Sequence, residues 1–351
     1  MNALAGRIAR LIAAQGPLSI AQFMAAVLYD PQAGAYAARD PIGRDFTTAP
    51  EISQIFGELL GLWVAQAWHD QGRPAQPLLV ELGPGRGTLM ADALRAISAA
   101  VPEFLDDGEV VLVEANPVLE AIQREKLKRF DVSWQSRFES SDARPLYLLA
   151  NEFFDCLPIH QFVKTENGWR ERMVTVVDGA LAFALSPVPA DHLIAQGRKD
   201  APIGGVSEIA PAAAALVETI ARAIAAHGGA ALIVDYGYGA PGYGETLQAV
   251  TAGEFAPVLE CDGDLSAHVD FAALTAAARA GGAAVYGPMA QGDLLTSLGI
   301  GPRAGKLMAA NPEAARAIAA AVERLVHPDK MGSLFQALAI ARHDAPAPPG
   351  F

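Results

Sequence analysis

Residues 78–88, Leu-Leu-Val-Glu-Leu-Gly-Pro-Gly-Arg-Gly-Thr, constrain the fold more than any other stretch of the chain. A short apolar run ends in Glu81 and passes into glycines at 83, 85 and 87; a helical pattern follows from Leu89 to Ile97. That is a buried strand turning into a helix through a loop where side chains are unwelcome. Three glycines at alternate positions weaken a chain unless something must approach its backbone closely. Such a loop lets a ligand lie against backbone N–H groups beside the positive end of a helix. The spacing is not the G-x-G-x-x-G of nicotinamide-dinucleotide folds, so a hydride-transferring oxidoreductase is disfavoured.

The 351 residues are enough for one large domain with insertions, and an apolar content of 52% supplies a sizeable core. The formal net charge of −13 lacks the cationic footprint that nucleic acid requires, and it suits a cationic partner such as an arginine-bearing peptide. Two cysteines, Cys156 and Cys261, make neither a disulfide framework nor a zinc site and fit a reducing compartment. The seven histidines show no metal spacing, and no apolar run reaches the length of a membrane span. The arginine-bearing N-terminus has some character of a mitochondrial presequence. The placing of Leu4, Ile8, Leu11 and Ile12 on one face predicts instead an amphipathic helix of the fold.

Residues 1–75 read as a helical segment packed on the core: helices at 4–14 and 20–29, the second capped by Ser19, then a punctuated loop, then a helix from about Pro50 to His69. Residues 76–343 alternate strand and helix. Strands are expected at 78–82, 109–114, 132–135, 146–150, 230–235, 283–287 and 334–341, and helices at 88–99, 117–130, 212–226 and 270–280. The expected fold class is α/β, a doubly wound Rossmann-like sheet. Substrate-side insertions are expected near 160–186, 240–268 and 290–330, the first an antiparallel hairpin turning at Glu166-Asn167-Gly168. The Pro-rich tail, 344–351, reads as frayed.

The pattern E-x-G-x-G-x-G resembles the first motif of S-adenosylmethionine (SAM) dependent methyltransferases, which makes Gly83, Gly85 and Gly87 the cradle for the cofactor. Glu81 is then the acid that anchors the loop or the cofactor's amino group. Glu114, closing the second strand, is placed to accept bonds from the ribose hydroxyls. Thr88 and Asn151, at the openings of the first helix and the post-strand loop, complete the expected cofactor set. Glu152 and Asp155 follow the fourth strand, where the reactive end of a ligand sits in open α/β sheets; they read equally as catalytic carboxylates or as caps of the following turn. Asp45, Thr48, Pro50, Glu51 and Ser53 form a polar segment before a helix start, read as a substrate contact or lid, with capping a sufficient explanation for Thr48 and Glu51.

Taken in order, Gly16-Pro17, Asp45-Phe46, the run Pro50 to Glu58, the run Glu81 to Thr88, Glu152-Phe153-Phe154-Asp155, Leu157-Pro158, Asp235-Tyr236-Gly237, Val269-Asp270-Phe271 and Pro328 to Gly332 resemble the MidA-like SAM-dependent methyltransferases. That family includes the mitochondrial complex I assembly factor that methylates arginine. One departure is Gly43-Arg44-Asp45, where the family often has a longer glycine-bearing approach. The resemblance implies a class I methyltransferase using SAM and dimethylating an arginine on a protein, such as a core subunit of complex I. An arginine nitrogen is a poor nucleophile because the side chain stays protonated to above about pH 12. A carboxylate pair such as Glu152 and Asp155 would clamp the guanidinium and offset its charge. The rivals are a methyltransferase of small molecules and an assembly chaperone that binds SAM without turnover. A homodimer is compatible with the sequence. The expected compartment is the cytoplasm of a bacterium, or the mitochondrial matrix if the chain is eukaryotic.

Overall fold

The computed structural model describes the chain apart from residues 1, 31–33, 35–41, 43–46, 140–141, 195–200, 241 and 261–262. Asp45 and Cys261 lie outside the described residues. The chain divides into two compact units, one of residues 47–154, 214–239 and 271–351, the other of residues 1–46, 155–213 and 240–270.

The first unit is built on a seven-strand path. In chain order its strands are β1 (Leu78–Leu82), β2 (Glu109–Val113), β3 (Ser133–Gln135), β4 (Leu146–Asn151), β5 (Gly229–Tyr238), β6 (Ala284–Ala290) and β7 (Phe335–Ala341). In space they run β6-β7-β5-β4-β1-β2-β3. Neighbours from β5 to β3 are parallel, with Leu82 opposite Ala150 and Val113, while β7 is antiparallel to both β5 and β6. Every residue of β1 and β4 is buried; both faces are covered, which is why these strands read as unbroken apolar runs rather than alternating ones. The chain steps outward from β1 to β2 and β3 on one side and to β4 and β5 on the other. The order therefore reverses between β1 and β4, and in open α/β sheets such a reversal leaves a crevice beyond the carboxyl ends of the strands.

Four helices of this unit matter for the site: α1 (Ala49–Ile52), α2 (Gln54–Asp70), α3 (Thr88–Ala100) and α4 (Pro117–Lys126). Phe56, Leu60, Trp63 and Val64 of α2 join Leu89, Met90, Leu94 and Ile97 of α3 and Leu79, Leu149 and Leu232 of the sheet in one core. Close approach of α2 to α3 depends on Gly57 and Gly61. A Cβ on Gly61 would fall 2.6 Å from both Cα and O of Ala93, and one on Gly57 would fall 2.7 Å from Cβ of Asp92. The single helix expected from Pro50 to His69 is broken at Ser53, whose extended backbone ends α1 and whose Oγ accepts from Ile55 N (3.3 Å) to start α2. Helix α4 stops at Lys126, short of the expected Phe130.

The carboxyl-terminal tail differs from the frayed segment that its prolines suggest. Trp63 Nε1 donates to Pro349 O (3.0 Å), and Phe351 packs against the core. Proline content lowers the entropy lost when such a tail docks, so composition alone does not separate a docked tail from a loose one.

In the second unit, strands Gly168–Val177, His160–Thr165 and Val206–Ile209 form an antiparallel sheet, with Leu18–Ser19 and Ala180–Pro189 both pairing to the 168–177 strand. The hairpin turns at Glu166-Asn167, as its residues predict. Helices Ala3–Gln15 and Ile20–Tyr29 bury Leu4, Ile8, Ile12, Phe23, Met24 and Val27 with Val174. Leu11, expected on the buried face, is 40% exposed. Ser19 caps the second helix in a full capping box with Gln22. Residues 240–268, expected as loop, contain a small three-stranded sheet.

Candidate functional site

The loop after β1 is built as its glycines imply. Gly83, Gly85 and Gly87 all take positive φ, at 61°, 55° and 74°, a region that side chains with a Cβ resist. Gly83 N donates to Val113 O (3.1 Å), and Gly87 N closes a turn onto Pro84 O (2.7 Å). Two of the glycines are also required by neighbours. A Cβ on Gly83 would meet Phe153 Cδ2 at 2.7 Å, and one on Gly87 would meet Gln123 Cγ at 3.3 Å. Gly87 is the N-cap of α3 and supplies no side-chain acceptor, so the helix opens with N–H groups available to a ligand.

Two buried acceptors face the reversal of the sheet without a hydrogen-bond partner. They are Glu81 Oε2, one residue before the end of β1, and Asn151 Oδ1, the last residue of the neighbouring β4. Glu81 is 3% exposed and Asn151 7%. Burial pushes the Glu81 carboxyl up to about 8, and the charge of Glu114 adds to the effect. An orphaned buried acceptor costs free energy, and a cationic donor bound there would recover it. The α-ammonium of SAM is such a donor. The left-handed loop, the open helix terminus and the two orphan acceptors fit that cofactor. Glu81, Asn151 and the backbone of 83–88 would hold its methionine part and Glu114 its ribose.

Glu114 follows β2. Its Oε1 accepts from Asn116 N (2.7 Å) and its Oε2 from Gln123 Nε2 (3.1 Å). Burial raises its carboxyl pKa, and the bonds from Asn116 and Gln123 pull against that rise. Gln123 is fully buried on α4, and it also donates to Gly85 O (2.7 Å) and accepts from Trp134 Nε1 (2.9 Å). Neither Gln123 nor Trp134 belongs to a motif that the sequence displays. The trace was there, since Gln123 stands where the stripe Leu119–Gln123–Leu127 calls for an apolar residue, and both leucines are buried.

Glu152 has φ 51°, a conformation costing a non-glycine residue about 1–3 kcal/mol unless its surroundings impose it. They do. Its N–H donates to Val234 O (2.9 Å), and its Oε1 accepts from Asn151 Nδ2 (2.9 Å) and from Ala49 N (2.8 Å), the first residue of α1. Asp235, wholly buried three residues before the end of β5, accepts from the N–H groups of Phe153 (3.1 Å) and Phe154 (2.9 Å) and from its neighbour Tyr236 (2.9 Å). Asp235 is thus the post that fixes the Glu-Phe-Phe segment, a role its place in a motif did not disclose.

The segment before α2 is tied to the same loops. Thr48 is the N-cap residue of α1 but makes no capping bond, because Glu152 serves that helix instead. Pro50 is buried in its first turn. Glu51 Oε1 accepts from Thr88 Oγ1, which in turn accepts from Lys126 Nζ. Thr88 therefore bridges α1, α3 and α4. The structure brings Glu81, Gly83, Gly85, Gly87, Thr88, Glu114, Asn151, Glu152, Thr48, Pro50, Glu51 and Ser53 into one unit. Asp155 belongs to the other, where its carbonyl accepts from Ala267 N (2.9 Å). Among the described residues there is no cluster of side chains suited to a metal ion, and no helix is long and apolar enough to cross a membrane.

Residues 59–289 match the model of a family of S-adenosyl-L-methionine-dependent methyltransferases. The chain is 37% identical over 360 residues to the Danio rerio mitochondrial protein arginine methyltransferase NDUFAF7, covering 94% of this chain and 84% of that one. It is 35% identical over 366 residues to the Homo sapiens protein of the same name, covering 95% and 82%. A COG1565 superfamily member from Burkholderia thailandensis, crystallised with S-adenosyl-homocysteine, superposes with a TM-score of 0.88 at 31% identity, covering 99% of this chain and 94% of that one.

Proposed function

We propose that this chain, which belongs to the MidA-like family of SAM-dependent methyltransferases, places methyl groups on an arginine side chain of a protein. SAM supplies an electrophilic methyl carried on sulfonium. The chain's own residues supply position and charge. The observation that carries the reading is the acidic segment after β4, where Asp235 pins the backbone of Phe153 and Phe154, the Phe153 ring packs against Gly83, and Glu152 is held by Val234, Asn151 and Ala49. A guanidinium entering there meets fixed negative charge from Glu152, and Asp155 is the second carboxylate of the same sequence motif. That charge opposes the build-up of positive charge on the substrate, and proximity provides much of the remaining acceleration. The relatives named as arginine methyltransferases support the same substrate class. The family resemblance points further, to a core subunit of complex I as the methylated partner. It implies the mitochondrial matrix for a eukaryotic chain and the cytoplasm for a bacterial one.

The test uses labelled SAM, the purified chain and a complex I core subunit, with mass spectrometry to locate the label. Glu152→Gln and Asp155→Asn should keep S-adenosyl-homocysteine affinity near wild type and slow transfer by about a hundredfold or more, the usual worth of a lost general base. Label on a small molecule and none on protein arginine would reject the substrate. Wild-type transfer rates in both variants would reject the carboxylate roles. Tight SAM binding with no transfer to any acceptor would favour the assembly-chaperone alternative.

A further inference from the structure

One buried amide joins the cofactor loop to the carboxylate beyond β2. Gln123 is completely removed from solvent, and each of its polar atoms is engaged. An indole N–H can only donate, so the atom 2.9 Å from Trp134 Nε1 must be the amide oxygen. The amide is thereby fixed in one orientation. Both hydrogens of Nε2 are committed, one to Gly85 O at 2.7 Å and one to Glu114 Oε2 at 3.1 Å. With Asn116 N on its other oxygen at 2.7 Å, the Glu114 carboxylate is gripped from both ends and cannot swing. Trp134 is itself held by the Arg124 guanidinium, 4.0 Å over its ring, and Arg124 is paired to Glu120 at 2.7 Å. The absence of a side chain at Gly87 is explained by the same residue, since Cγ, Cα and Cβ of Gln123 occupy the space within 3.3–3.5 Å of where a Cβ would stand.

We infer that Gln123 is a positioning residue for the ribose of the cofactor, setting both the direction of Glu114 and its spacing from the Gly85 carbonyl. The inference rests on the reading of Glu114 as the ribose acceptor. Its physical basis is preorganisation. Two hydroxyls and a methionine chain belong to one ligand, so their acceptors work together only if the protein holds them at a fixed separation before binding. Trp134 serves this arrangement by denying the amide its flipped orientation. In that orientation the oxygen of Gln123 would face Gly85 O and the Glu114 carboxylate, acceptor against acceptor.

The experiment is calorimetry on the full chain with S-adenosyl-homocysteine and its 2′-deoxy and 3′-deoxy analogues. Wild type, Glu114→Ala, Gln123→Met and Trp134→Phe are compared, each checked for a cooperative thermal transition. In the wild type each missing hydroxyl should weaken binding by about tenfold or more, the worth of a bond to a charged acceptor. In Gln123→Met that ratio should shrink to under about threefold, because a carboxylate free to turn no longer distinguishes the analogues. Trp134→Phe keeps the ring under Arg124 and removes only the donor, and it should lower the ratio in the same direction. A residue that merely supports the fold would weaken all three ligands equally and leave the ratio intact, which would overturn the inference. If Glu114→Ala loses the ratio while Gln123→Met and Trp134→Phe keep it, the ribose acceptor stands and the positioning role falls. If Glu114→Ala keeps it too, the ribose reading falls first. Should Gln123→Met fail to fold, the ratio in Trp134→Phe decides alone.

Discussion

Glu81 should couple cofactor binding to proton release, and the magnitude follows from its surroundings. The carboxyl is 3% exposed, its Oε2 has no donor, and burial together with the charge of Glu114 lifts it from the ordinary 4.5 to about 8. At about 1.36 kcal/mol per pH unit, that rise sets a ceiling of about 5 kcal/mol on the cost of holding Glu81 ionised in the ligand-free protein. The folded group binds its proton more tightly than the unfolded one, so between about pH 4.5 and 8 the native state carries more protons and stability falls as pH rises. The cofactor's ammonium reverses this by giving the carboxylate its counter-charge. Affinity for S-adenosyl-homocysteine should therefore climb from pH 6 to 8, by tenfold at least and toward a hundredfold if one full proton is exchanged. Calorimetry at pH 6.5 in buffers of differing ionisation enthalpy should register release of close to one proton per ligand bound. Glu81→Gln keeps the shape and cannot titrate. It should bind weakly with a flat pH profile, and its apo form should lose less stability than wild type between pH 5 and 8. Wild-type binding without proton release, or a Gln variant with the wild-type pH slope, would refute the reasoning.

Gly85→Val imposes a β-branched residue on a backbone with φ 55°; it should abolish S-adenosyl-homocysteine binding by calorimetry while costing about 1–3 kcal/mol of stability, and a folded variant with wild-type affinity would displace the cofactor from this loop. Glu58, buried between Arg95 (2.9 Å) and Arg303 (2.7 Å), has a carboxyl that burial would raise but the two guanidinium partners hold below its ordinary value. Glu58→Ala should destabilise the chain by about 3 kcal/mol in urea unfolding, the low end for a broken buried pair because both arginines keep contact with water. The contribution of Glu58 in the wild type is full above the usual carboxyl range and should fade as pH falls through its depressed value.

Much of the site follows from local rules that a sequence states openly. Alternate glycines after an apolar strand announce a loop that must be approached closely, and all three prove to take left-handed backbone as well. Ser19 with Gln22 announces a capping box, and an unbroken apolar run at 146–150 announces a strand covered on both faces. These are properties of a few consecutive residues, because φ preference, capping and side-chain period act over at most a turn or two. What they leave open is which distant segment arrives. Gly83 is small for the ring of Phe153, seventy residues on, and Gly61 for the backbone of Ala93. Glu152 turns its carboxylate to Ala49, and Asp235 reaches back to Phe153 and Phe154. Even Glu152 and Asp155, three positions apart in sequence, are divided by the fold between two compact units. Strand order makes those assignments. Once β4 is laid beside β1 on the side away from β2, with β5 beyond it, residues far apart in the chain share one crevice, and only packing over the whole sheet determines which of them meet.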